Sequence, residues 1–171
     1  VYQGWITLVN MPPQVEIPVR LMMQFQDRYP NTTPQIVLQA PDRDIWVLAT
    51  INTSGIYALD VVDLGARTVF TLHSAEHMQT VRRRPLPRWA HYPAAVLLIC
   101  DDDGISSLRG VNAVIGGNEP RGPRYTFALG VAFAALIFDV HGENPTGESL
   151  VAVTDRARRH YVEQYTIMQG G

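Results

Sequence analysis

Apolar and polar positions alternate along short stretches of the first third of the chain. Trp5–Val9, Gln35–Gln39, Asp44–Thr50 and Ile56–Val62 read as strands. Turn-forming clusters separate them: Asn10–Gln14 with two prolines, Asp27–Pro34, Ala40–Arg43 and Asn52–Gly55. Between the first two of these turns, Glu16–Met23 has an extended or mixed pattern. The spacing predicts an antiparallel meander.

The pattern then changes. Leu72–Val81 has no clean period, and Arg82–Pro87 is a solvated segment punctuated by proline. Trp89–Cys100 has helical spacing and ends at Asp101–Gly104. Val111, Ala113 and Ile115 alternate as on a strand, and Gly116 and Gly117 open a loop that also holds Pro120, Gly122 and Pro123. From Ala128 to Phe138 the chain is small and apolar on every side, which predicts a largely buried helix. Beyond Asn144–Gly147, Glu148–Tyr165 has the 3.6-residue repeat of a further helix. Strands precede helices, so the expected class is α+β, a mixed sheet packed on C-terminal helices in a single domain over 1–171.

Composition narrows the function classes. All basic side chains are arginine and the net charge is −2, which gives no basic excess for nucleic acid. Cys100 is the single cysteine; it excludes an internal disulfide and sits in an apolar run, which fits a buried thiol in a reducing, cytoplasmic setting. The apolar runs are short for a membrane span. His73 and His77 share the spacing of metal ligands, but no third ligand stands at a telling distance, so no metal site is expected. Asp101–Asp103 and Arg82–Arg84 read as solvated charge, and Arg156, Arg158 and Arg159 as cations favoured near a helix end.

The glycine-bearing loop before the buried helix offers chemistry, because backbone N–H groups at a helix N-terminus can meet phosphate. Taken alone, it is most simply a tight turn. The wider stretch NAVIGGNEPRGPRYTFALGVAFAAL is similar to the phosphate-binding segment of galactokinases, in the sugar and mevalonate kinase superfamily, where a strand precedes P-x-G-x-G-L-S-S-S-A-A. Trp89-Ala90-His91-Tyr92 followed by Val96 resembles that family's W-x-x-Y helix, and Ala157–Met168 its A-E-x-x-F-V-G…G-I-M-D-Q segment. Gly4–Val9 stands where the family has P-G-R-V-N-L-I-G-E-H, and Ile17-Pro18 where it has V-L-P. The order and spacing resemble a galactokinase N-terminal domain without its C-terminal half.

The resemblance implies a sugar phosphotransferase using ATP with magnesium, and a small-molecule sugar or nucleotide as ligand. It implies phosphate contacts at Gly117, Pro120, Arg121, Gly122, Arg124 and Thr126. It also implies lost catalysis. Trp5 stands at the family's arginine, Gln169 at its catalytic aspartate, and Met11 and Pro12 at its sugar-binding Glu-His pair. An indole carries no charge and an amide accepts no proton at neutral pH. Arg124 replaces the second glycine, and Thr126-Phe127-Ala128 the serine triplet. No residue is assigned a catalytic role. The implied function is a degenerate kinase-like domain with at most weak sugar, nucleotide or phosphate binding. The alternatives are an active but aberrant kinase, and a structural domain that serves a protein partner or a C-terminal half.

Overall fold

The computed structural model describes residues 17–105 and 109–170. Its centre is a five-stranded mixed sheet in the order β1-β2-β5-β3-β4. The strands are β1 Ile36–Gln39, β2 Ile45–Asn52, β3 Ile56–Val61, β4 Ala66–Thr71 and β5 Gly110–Gly117. β3 and β5 are parallel, and every other neighbouring pair is antiparallel. The α+β class holds, with helices α1 Val19–Arg28, α2 Leu72–Ala75, α3 His91–Asp102, α4 Pro123–Val140, α5 Gly147–Ala157 and α6 Glu163–Gly170.

The expected meander forms only in part: β1 and β2 pair as antiparallel neighbours but β2 and β3 do not, and the expected strand Trp5–Val9 lies outside the described residues. β2 turns into β3 through a local bond network, in which the Ser54 N–H and Oγ both donate to Asn52 Oδ1. β5 then inserts between the two strands. It is apolar on both faces: Val111, Ala113 and Ile115 face the larger core, and Val114 the smaller one. Helices on both faces of the sheet bury both sides of this strand, as they do for β2 beside it. Glycines at both ends admit this close fit. A Cβ at Gly110 would lie 2.0 Å from the Ile56 carbonyl oxygen, and one at Gly117 2.0 Å from that of Asp44. Gly116 and Gly117 therefore close the strand, paired with Trp46 and Ile45, and do not open the loop.

Helices cover both faces of the sheet. α3, α4 and α5 lie over Ile45, Val47, Tyr57, Leu59 and Phe70. α1 covers the opposite face, placing Leu21 and Phe25 on Trp46, Leu48 and Val114. From Val19 onward this helix replaces the extended pattern expected at Glu16–Met23, of which Glu16 lies outside the described residues, and it takes in Asp27 and Arg28 from the expected loop. Leu21 and Phe25 are four apart and form one apolar stripe. Two arginines on the same helix reach sheet-side carboxylates, Arg20 at Asp63 (2.7 Å) and Arg28 at Asp60 (2.9 Å).

α4 is the buried helix predicted from its composition, and it begins at Pro123, five residues ahead of Ala128. Proline suits the first helical position, where its missing N–H costs nothing. The helix ends at His141, followed by left-handed Gly142. The early start gives α4 18 residues, long and apolar enough to cross a membrane by those criteria. Its burial beneath the sheet accounts for the apolarity as a core helix. Gly130 lets α5 approach, since a Cβ there would lie 2.7 Å from Thr154 Cγ2. Cys100 is buried in α3, and burial pushes its thiol up to about 12.

The last expected helix is continuous but changes pitch. α5 passes through a π turn, Arg158–Val162, into α6. Asp155 accepts from Arg158 and Arg159 across this turn. The Asp101–Asp103 segment, expected to be simply solvated, is tied to the same region: Arg156 binds Asp103 through two bonds (2.7 and 3.0 Å), and the Tyr161 hydroxyl donates to Asp102.

Candidate functional site

A cleft of about 600 Å³ opens where the N-terminus of α4 meets the start of α3 and the π turn. Arg121, Gly122 and Thr126 form one wall, Arg88, Trp89, His91 and Tyr92 the second, and Val162 and Thr166 the third. The loop comes to this cleft through a fixed strand end. The Gly117 N–H donates to Asp63 Oδ2 (2.9 Å), and the Asp44 N–H donates to Glu119 Oε2 (2.8 Å). Glu119 is thereby turned inward and buried, away from the cleft lining.

Gly122 is the N-cap of α4 with φ 105°, a conformation that favours glycine. A Cβ there would meet nothing within 4 Å, so the backbone is open to a ligand. No acidic residue lies in the first turn of α4. The helix terminus contributes partial positive charge. Arg121 adds a full one, with its guanidinium over the Tyr125 ring at 5.4 Å. The Tyr125 hydroxyl donates to Asp63, and burial together with that carboxylate raises its pKa strongly.

Of the six residues expected to contact phosphate, Arg121, Gly122 and Thr126 line the cleft. Gly117 is spent on β5 and Asp63, and Pro120 and Arg124 are exposed beside the cleft wall. The Thr126 hydroxyl already donates to the Pro123 carbonyl (3.0 Å). Gln169 is exposed on α6, and Val162 and Thr166, earlier in the same segment, are the residues that reach the cleft. Trp5, Met11 and Pro12 lie outside the described residues.

The residue-by-residue reading missed Arg88 and His91 as cleft residues. The W-x-x-Y resemblance singled out this segment as a helix ahead of the strand, but gave no sign that it meets the phosphate loop. The His91 ring meets Tyr165 edge-on at 5.1 Å, and burial lowers its pKa against the opposing pull of a backbone hydrogen bond at Leu86. The described lining holds two arginines, aromatic faces and one imidazole, but no carboxylate. A phosphate fits this donor set. Magnesium finds no carboxylate ligand among the described lining residues, so the residues present do not fit the metal.

No known family profile matches the sequence, and no curated protein resembles it in sequence. Solved structures do resemble it in fold. A Lactococcus lactis galactokinase bound to galactose superposes with a TM-score of 0.63 at 15% identity, over 84% of this chain and 42% of that one. A mevalonate kinase gives 0.52 at 8%, and the Methanococcus jannaschii mevalonate kinase 0.52 at 9%, each over 69% of this chain and 37% of the other. The chain has the fold of the N-terminal domain of galactokinase-type kinases, and it spans less than half the length of the structures it matches.

Proposed function

We propose that this is a galactokinase-like domain without phosphoryl-transfer activity, which retains weak binding of a phosphate-bearing small molecule in the cleft at the α4 N-terminus. The observation that carries this reading is the cleft's charge. Arg88, Arg121 and a helix N-terminus converge beside Trp89 and Tyr92, with no carboxylate in the described lining. Such a site attracts an anion and offers aromatic surface to a base or sugar ring. Phosphoryl transfer depends on positioned charges that hold a metal and orient the attacking hydroxyl. By the resemblance, Trp5 and Gln169 stand where the family has its charge-balancing arginine and its catalytic aspartate, and Pro123 removes one N–H donor from the loop. The expected affinity is on the order of millimolar, about −4 kcal/mol. Residence in a reducing, cytoplasmic compartment, and completion of the cleft by a further protein segment, belong to the same proposal.

One observation favours a second reading, an aberrant active kinase. His91 lines the cleft with its pKa lowered by burial, and a neutral imidazole can accept a proton. Both readings are tested by titrating the protein with ATP and inorganic phosphate by NMR, alongside a phosphotransfer assay on galactose. The first expects saturable shifts at Gly122 and Thr126, weakened by salt and by Arg121→Ala, with no sugar phosphate formed. Absence of any shift overturns it. ATP-dependent phosphorylation of galactose that is lost in His91→Ala establishes the second.

A further inference from the structure

We propose that His73, Glu76 and His77 form a binding site for a divalent transition-metal ion, with zinc the natural occupant of a two-imidazole, one-carboxylate set. The sequence expectation allowed two ligands and no third. The structure supplies Glu76. The candidate donor atoms of the three side chains all lie within 4.8 Å of one another. His73 Nδ1 stands 3.7 Å from Glu76 Oε2, and the two imidazole rings meet edge-on with centroids 5.5 Å apart.

The backbone beneath these side chains is fixed before any metal arrives. A reciprocal capping box joins Thr71 and Ser74 at the start of α2. The His77 and Gln79 N–H groups both donate to the Ser74 carbonyl, at 3.1 and 2.9 Å. Ala75 and Met78 are buried, and Met78 ends the turn at φ 50°. The residues that anchor the turn point inward, and the three ligands are left exposed on one side. Positions i, i+3 and i+4 of a helical turn share a face.

Tetrahedral zinc with ligands at about 2.0–2.1 Å needs neighbouring ligand atoms about 3.4 Å apart. The present spacing, within 4.8 Å, is wider, and binding requires the three exposed side chains to rotate inward between rotamers. Three protein ligands leave a fourth position open to water or a small anion. The site borders a groove lined also by Arg83, whose charge opposes a cation; the Glu76 carboxylate offsets it. The set is separate from the cleft at α4, so its occupancy is independent of nucleotide binding there.

The test is calorimetric titration with Zn²⁺ and optical titration with Co²⁺, using the metal ions alone. One ion is expected to bind per chain, with a visible Co²⁺ band and NMR perturbation centred on the His73 and His77 rings. That perturbation identifies the ligands in the unaltered protein, so the result does not depend on a variant's folding. His73→Ala and His77→Ala should each weaken binding at least tenfold, since even groups that merely support ligands are worth about 10–100-fold. His160, in the adjoining groove with Glu76 and His77, is the control, and His160→Ala should leave the affinity unchanged. Absence of saturable Zn²⁺ binding, indifference to His73→Ala, or equal loss on His160→Ala overturns the proposal.

Discussion

The Tyr125 hydroxyl donates a 2.7 Å hydrogen bond to Asp63 Oδ2, joining the first turn of α4 to the short 3₁₀ turn Val62–Leu64 after β3. The same carboxylate oxygen accepts the Gly117 N–H, and Arg20 of α1 is paired with the other at 2.7 Å. Arg20 also donates to the Gly117 carbonyl. Asp63, with its side chain 2% exposed, thus connects α1, β5 and α4 behind Tyr125. A buried carboxylate is costly unless it is paired and hydrogen-bonded, and this one is both.

Tyr125→Phe keeps the ring and removes the bond. Hydrogen bonds to charged groups contribute about 1.5–3 kcal/mol, and the expected loss is near the lower end because Asp63 keeps its other partners. Urea unfolding measures it. An unchanged midpoint would mean that the hydroxyl and the carboxylate do not meet in solution.

Gly117→Ala should be far worse than its chemistry suggests. The added Cβ falls 2.0 Å from the Asp44 carbonyl oxygen and 2.8 Å from Ile45 Cα, both of the backbone. No rotamer change relieves that contact, so β2 and β5 must separate. The expected cost is about 3 kcal/mol or more. Thermal denaturation gives the value, and hydrogen exchange should show faster opening at Ile45 and Trp46.

Ala132→Asp tests the centre of the core. Ala132 is 0% exposed on α4. An uncompensated charge there should cost on the order of 3 kcal/mol or more, or prevent folding. A soluble variant with the parent melting temperature would contradict the placement of α4 beneath the sheet.

His91 gives stability a pH dependence of known sign. Burial, the largest influence, holds its folded pKa below the ordinary 6.5. The unfolded chain therefore binds the proton more readily. The contribution is complete above about pH 6.5 and is lost as pH falls through the folded value. His91→Gln should flatten the fall in melting temperature on the acid side of neutrality. NMR titration of the imidazole reads the folded pKa directly, and a value above 6.5 would reverse the sign.

Much of this fold was legible in the one-dimensional pattern, because strand and helix periods are local. Ile45–Thr50, Ile56–Val61, Val111–Ile115 and the apolar run after Ala128 each signalled its element without a partner. The α4 start was set five residues late, because Pro123–Phe127 carries a proline, an arginine and two aromatics that do not look helical. α1 was misread because its apolar stripe is narrow and follows Pro18. β4 drew no notice, since it is an edge strand whose register only β3 defines.

What tertiary structure decided depends on contacts distant in sequence. Sheet order is one case: no local signal says that β5 enters between β2 and β3, and only the need to bury both of its faces places it there. The site is another. The sequence located the loop at Arg121–Thr126 through its glycines, its prolines and the resemblance around them. Chain folding alone brings Arg88, Trp89 and His91 to that loop, turns Glu119 inward onto Asp44, and uses Asp63 to fix the strand end beneath it. Likewise His73 and His77 were visible as an i, i+4 pair. Glu76 became their neighbour through the turn geometry held by Thr71, Ser74 and Met78, since side-chain direction depends on backbone dihedrals that the residue names do not state.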